Sequence, residues 1–381
     1  MFTYFPNNYM WSSAVNLCLS AGGQIGQIDR FLAPLRDSPM TTSTDTPAWT
    51  KAWDAMAEQQ ETHAREDIQS EYFQSASARF LRASTYHLTG ERQTPPGPAK
   101  TRSYKAALEA FANAVRYMRV PIERVGVPSP DGVLPEYLIP SGGQGRSPVV
   151  IFYNGFDVTK EILYGIIREE FAHQGIACLV IDTPGTGEPL QLRGIASRPD
   201  YEVPTTAIVD YLKTRQDVDP EQIGIVGISL GGYYAPRAAA FEPRIKACVA
   251  WGSIWDYGAT WQRRWDTRTT RTSVPFWQLP WVMGTDLMEA ALERVQAFTL
   301  DGVLGNLKQP FLIVLREEDG LIPMEDARRE FETAGSKDKQ LRVFTAVESS
   351  SEHVGADDMD PVRQLVADWF AQRLGTATAE N

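Results

Sequence analysis

The chain has 381 residues, enough for a full-sized core plus an accessory domain, and its 43% apolar and 22% charged content is that of an ordinary soluble globular protein. A net charge of −11 argues against a polyanion such as nucleic acid as partner. No stretch approaches the roughly 18 uninterrupted apolar residues of a membrane span, and the opening "MFTYFPNNYMWSSAVNLCLSAGG" lacks the basic segment of a secretory signal.

Residues 1–120 read as helical. "SYKAALEAFANAVRYM" (103–118) places Tyr104, Leu108, Phe111, Val115 and Met118 on steps of four and three, the spacing of one helical face. "SEYFQSASARFLRASTYHL" (70–88) sets small residues beside aromatics, as closely packed helices do. Two polar, Pro-containing segments, 38–48 and 89–100, read as loops between these helices.

From Pro121 the pattern changes. "IERVGV" and "VLPEYLI" flank the turn signal "PSPDG" and read as a hairpin. Apolar, β-rich runs then alternate with helical stretches at 148–153, 176–181, 223–228, 245–251, 310–315 and 341–347. Continuous apolar strands separated by helices imply a mostly parallel sheet covered on both faces. Cys18, Cys178 and Cys248 lie far apart without metal-ligand spacing, which fits buried thiols in a reducing, cytoplasmic setting.

Gly227-Ile228-Ser229-Leu230-Gly231 sits where the 223–228 strand runs into a helix. Gly-x-Ser-x-Gly alone is a weak signal, but strand, cramped corner and helix together describe the nucleophile elbow of the α/β-hydrolase fold. In that fold the acid and the histidine follow the serine in that order. Of the four histidines, His63, His87 and His173 precede Ser229, so His353 in "ESSSEHVGADD" is the expected base. Asp319, just past the 310–315 strand and ahead of "GLIP", is the favoured acid, with Glu317, Glu318 and Glu348 as alternatives. Backbone N–H groups of Leu230 and of Phe156, in the loop "NGFDVTKE", are the expected oxyanion donors. "DTPGTGE" (182–188) is expected to be a structural corner. This chemistry calls for no metal and no cofactor.

The set "NGFDVTKE", "DTPGTGE", "GISLGGYYAPRAAA", "REEDGLIP" and "EHVGADD" resembles the α/β-hydrolases that include 2,6-dihydroxypseudooxynicotine hydrolase and the fungal Ayg-type polyketide-shortening hydrolases. "WSSAVNLCLSAGGQIGQID" and "SARFLRASTYHLTGER" resemble that family's helical domain, so the likeness spans most of the chain. It implies Ser229, Asp319 and His353 as the triad, and cleavage of carbon–carbon bonds beside a carbonyl. Here Asn154 opens the oxyanion loop, where the family more usually has glycine.

Six of the ten tryptophans, Trp251, Trp255, Trp261, Trp265, Trp277 and Trp281, fall between the sixth strand and the acid. An insertion at about 251–297 is expected to form a helical lid, with Trp255, Asp256, Tyr257 and Trp261 as candidate pocket residues. The division expected is a helical domain over 1–120 and a catalytic domain over 121–381. The expected partner is a small aromatic or polyketide-like molecule, with no nucleic acid and no membrane; a homodimer stays open. Two further readings remain: cyclisation, lactonisation or acyl transfer by the same triad, and a binding protein that keeps the fold without turnover.

Overall fold

The computed structural model describes residues 1–37, 46–143, 145–167, 170–348 and 352–376. The chain divides into two compact units. The first gathers Met1–Ile122 with Glu161–Ile166 and Thr270–Gln278, the second Glu123–Lys160, Ile167–Thr269 and Leu279–Asn381.

The first unit is built on α1 (Tyr9–Ser20), α2 (Ile25–Arg36), α3 (Thr46–Gln69), α4 (Phe73–Arg92) and α5 (Pro98–Tyr117). Asn8 caps α1 through its side chain, which accepts from the Trp11 N–H at 3.1 Å. The core is a chain of rings: Trp11 stacks on Trp49 at 4.7 Å, Trp49 meets Trp53 at 5.3 Å, and Trp53 meets Tyr86 at 5.9 Å. A Cβ at Gly90 would lie 2.7 Å from that of Trp53, so α3 and α4 approach as closely as the small residues of α4 suggest.

Two expectations need correcting in this unit. The 89–100 segment is mostly helical: α4 runs through Arg92 and α5 begins at Pro98. Burial of Thr89, Glu91 and Arg92, and an ion pair between buried Glu91 and Lys100, override the weak helix preference of this stretch. On α5 the buried face is Tyr104, Ala107, Ala110, Phe111 and Ala114, whereas Leu108 and Val115 are only half buried and Met118 lies beyond the helix. Alanines let α5 lie close to α4, and that rotates the face away from the larger side chains. Most of the 38–48 loop reading falls outside the described residues.

The second unit carries an eight-stranded sheet. In chain order come β1 (Glu123–Ser129), β2 (Gly132–Ile139), β3 (Ser147–Tyr153), α6 (Lys160–Ile167, most of which is grouped with the first unit), α7 (Glu170–His173), β4 (Ala177–Ile181), α8 (Gly187–Arg193) and α9 (Glu202–Thr214). Then follow β5 (Val218–Ile228), α10 (Gly231–Phe241), β6 (Ile245–Trp251), α11 (Tyr257–Thr267), α12 (Gln278–Met283) and α13 (Met288–Val295). The chain closes with β7 (Phe311–Arg316), α14 (Met324–Thr333), β8 (Lys339–Phe344) and α15 (Asp360–Arg373). The strand order is β1-β2-β4-β3-β5-β6-β7-β8, with β1 and β2 antiparallel and the other six mutually parallel.

Parallel strands put the loops after β3, β5, β7 and β8 at one edge of the sheet, where ligands of such sheets bind. The strands are apolar throughout because both faces are covered; Val149, Val150, Ile151, Phe152 and Tyr153 of β3 are each 0% exposed. All three cysteines are buried, and burial pushes the Cys18 thiol up to about 12. Among the described residues no helix is long and apolar enough to cross a membrane.

Candidate active site

Ser229 occupies the corner between β5 and α10 with φ 58, a left-handed conformation that costs a non-glycine residue about 1–3 kcal/mol. Its N–H donates to the Trp251 carbonyl at 2.8 Å, and its own carbonyl accepts from the Gly232 N–H at 2.7 Å. The glycines around it leave room for backbone alone. A Cβ at Gly227 would sit 1.9 Å from the Gly231 oxygen, and one at Gly232 would sit 1.7 Å from the Gly252 oxygen. Leu230 follows the serine at the N-terminal end of α10, where the helix dipole favours negative charge.

The Ser229 hydroxyl lies 2.8 Å from Nε2 of His353, and His353 Nδ1 lies 2.8 Å from Oδ2 of Asp319. The other carboxylate oxygen of Asp319 accepts from the N–H groups of Leu321 at 2.9 Å and Ile322 at 3.0 Å, which locks its orientation. The Asp319 side chain is 1% exposed and the His353 imidazole 13%, so the ring can be reached from solvent while the carboxylate is shielded. The three residues singled out in the sequence thus stand side by side, although they come from loops after β5, β7 and β8. The alternative carboxylates do not join them. Glu317 and Glu318 are exposed, and Glu348 is bound to the Thr345 N–H and to Arg342, which hold it below the usual carboxylate range.

The loop after β3 passes directly beside the serine. A Cβ at Gly155 would lie 3.1 Å from the Ser229 Cβ and 3.6 Å from its Oγ, so any side chain there would crowd the hydroxyl. Phe156, next in the loop, turns its ring against Trp261 at 5.5 Å and Tyr257 at 5.9 Å.

This loop is held by Asn154 and by a buried pair, Lys160 and Asp182, that sequence reasoning did not single out. Asn154 donates through Nδ2 to the Ile181 carbonyl at 2.8 Å and to Asp182 Oδ1 at 3.0 Å. The Lys160 ammonium bonds Asp182 Oδ2 at 2.8 Å and Glu188 at 2.7 Å, and its backbone N–H reaches Asp182 Oδ1 at 2.9 Å. Lys160 and Asp182 are both 0% exposed. "NGFDVTKE" and "DTPGTGE" are therefore two halves of one buried ionic lock, to which Asn154 adds a tether. A Cβ at Gly187 would strike the Asp182 carboxylate at 1.9 Å, so the corner closes only around glycine. On the neighbouring strand β2, burial and then the charge of Asp182 push the Glu136 carboxyl well above its usual range, against the opposing pull of Lys160. The available signal was a lysine and an aspartate next to apolar strands, since a buried charge is tolerated only when paired.

The tryptophan run serves several purposes. Tyr257 and Trp261 join Phe156 in an aromatic wall, with the Arg264 guanidinium 4.1 Å from the Trp261 ring. Trp255 is turned to α14: its backbone N–H donates to Asp326 at 3.2 Å and Arg329 lies over its ring at 4.5 Å. The Asp256 carboxylate caps α11 by accepting from the Ala259 N–H at 2.8 Å. Trp251 closes β6, and Trp277 belongs to a segment grouped with the helical unit, with the Lys100 ammonium 5.7 Å from its ring.

A family model described as FrsA-like, "Esterase FrsA-like", matches residues 43–374. Among curated proteins, a hydrolase (acrC) of Aspergillus aculeatus is 32% identical over 278 residues, covering 67% of this chain and 64% of the relative. An alpha/beta hydrolase (ucsC) of an Acremonium species is 33% identical over 290 residues, covering 67% of this chain and 57% of the relative. The chain thus spans somewhat less than two thirds of the length of these relatives. Among solved structures, 2,6-dihydroxy-pseudo-oxynicotine hydrolase superposes with a TM-score of 0.79 at 24% identity, over 94% of this chain and 95% of the other. The fold is that of the α/β-hydrolases.

Proposed function

The chain belongs to the FrsA-like esterase family, and from that premise we propose that it is a serine hydrolase that breaks a carbon–carbon bond next to a carbonyl, in a polyketide-like or aryl-ketone substrate. The observation that carries the reading is the hydrogen-bonded series Ser229 Oγ, His353 Nε2, His353 Nδ1, Asp319 Oδ2, with 2.8 Å at each contact between side chains.

Ser229 Oγ attacks the carbonyl carbon while its proton passes to His353 Nε2. Asp319 keeps Nδ1–H facing itself, so that Nε2 is the basic nitrogen, and offsets the imidazolium charge once it forms. The Leu230 and Phe156 N–H groups take the oxyanion of the tetrahedral adduct. The adduct collapses by breaking the carbon–carbon bond, and the departing carbon takes the proton that His353 holds. Water, deprotonated by His353, then attacks the acyl-serine and releases a carboxylic acid and free Ser229. Carbon leaves only as a stabilised anion, so the substrate needs a second carbonyl or an electron-rich ring next to the bond. The wall of Phe156, Tyr257 and Trp261 supports a flat, conjugated skeleton.

The test compares an aromatic β-diketone with p-nitrophenyl acetate, in water enriched in heavy oxygen. Carbon–carbon hydrolysis predicts a higher kcat/KM for the diketone and one labelled oxygen in the product acid. A kcat/KM at least tenfold higher for the small ester would leave a plain esterase. Turnover without label in any product acid would assign the same residues to cyclisation, lactonisation or acyl transfer.

A further inference from the structure

Trp251 ends β6 with its side chain 0% exposed, and the sequence pattern alone groups it with the lid tryptophans. Its two polar ends point elsewhere. The backbone carbonyl accepts from the Ser229 N–H at 2.8 Å, and the indole N–H donates to the Val354 carbonyl at 2.9 Å. Val354 directly follows His353 and has φ 52, a left-handed conformation that a β-branched residue adopts only under constraint from its surroundings. One residue thus grips the strained corner of the nucleophile with its backbone and the strained turn of the base with its side chain. The next residue, Gly252, completes the clamp: a Cβ there would sit 3.3 Å from both Cα and N of Ser229.

We propose that Trp251 is a positioning residue, whose indole N–H holds the His353 loop so that Nε2 stays in register with the Ser229 hydroxyl. This rests on the reading of Ser229 and His353 as nucleophile and base. Packing alone would not require the nitrogen to face a carbonyl one residue from the base. Without that bond the His353 turn relaxes from its left-handed conformation, and a displacement of a fraction of an ångström at Nε2 is enough to slow proton transfer.

A fluorophosphonate probe tests this without knowledge of the substrate, because it reacts with a serine activated by its histidine. Trp251→Phe deletes the N–H. Replacement of Trp251 by 3-benzothienylalanine deletes it while keeping the bicyclic shape, and so serves if the phenylalanine variant folds poorly. The control is Phe370→Leu, a core change on α15 away from the site, which loses thermal stability with an unaltered labelling rate. The expected result is a roughly 10- to 100-fold slower labelling of both Trp251 variants at the high-pH plateau, well below their melting temperatures. Labelling of either folded variant at the wild-type rate would overturn the proposal. Absence of labelling at Ser229 in the unaltered protein would instead overturn the reading of the site on which it rests.

Discussion

Two regions of the molecule assemble serine, aspartate and histidine, and they connect them in different orders. In the sheet unit the imidazole stands in the middle, between the Ser229 hydroxyl and the Asp319 carboxylate. In the helical unit the carboxylate stands in the middle: Asp54 accepts from the Ser103 hydroxyl at 2.8 Å and bonds His87 Nδ1 at 2.7 Å. The far nitrogen of His87 faces Glu61 at 3.4 Å. Burial alone would lower the His87 pKa, but its hydrogen bond to Asp54 and the nearby Glu61 carboxylate outweigh that and push it up to about 9. A ring between two carboxylates is held in its charged form, which has no lone pair left to accept a proton. Side-chain types alone do not make a base; what the second nitrogen faces does.

The largest effects belong to the sheet unit. Ser229→Ala is expected to fold normally and lose on the order of 10⁴–10⁶ of kcat, His353→Ala about as much, and the double variant little more, because the two act together. Ser103→Ala should leave kcat within about twofold. Steady-state kinetics check all four, and additive losses at Ser229 and His353 would show that the pair does not work as a unit. Next in size, Asp319→Asn should lower kcat about 10⁴-fold by favouring the wrong imidazole tautomer. A near-normal rate for that variant, with a large loss in Glu348→Gln, would move the acid to Glu348.

The ionic lock that holds the loop after β3 has a smaller effect, read in stability. Lys160→Met leaves the fully buried Asp182 without its ammonium partner, while Glu188 keeps Arg124, and should cost about 3–5 kcal/mol in a urea melt. Adding Asp182→Leu should recover part of that loss. A single variant as stable as the parent would mean the lysine does not hold the two loops. The smallest effect is the pH dependence of His87. Its folded pKa of about 9 exceeds the ordinary 6.5, so its stabilisation is fully present below pH 6.5 and is lost as pH rises through 9. Thermal midpoints of the parent should therefore fall over that window, by the equivalent of about 3 kcal/mol. His87→Gln, which has no proton to lose, should remove this decline, and an unchanged slope would place the titration elsewhere.

The lesson for reading the chain differs by element. Parallel strands buried on both faces appear as unbroken apolar runs, so all eight were visible from residues alone, most to within a residue or two; β5 begins earlier, at Val218. Helix α5 was visible too, but its buried face was not, because close packing on α4 selected alanines over the larger side chains that periodicity favours. Ser229, His353 and Asp319 could be picked out because the elbow has its own local pattern and one histidine follows the last strand.

Local sequence thus determined the elements, their alternation and the identity of the groups beside Ser229. It could do so because period, glycine spacing and chain order act over a few residues or along the strand sequence. Tertiary structure alone decided which side chains pair over long separations: Asn154 and Lys160 with Asp182, Trp251 with Val354, and His87 with Asp54 and Glu61. Each of those contacts joins separate elements or loops, and its energy depends on burial and on what the second polar atom meets. Neither quantity exists until the fold has closed around it.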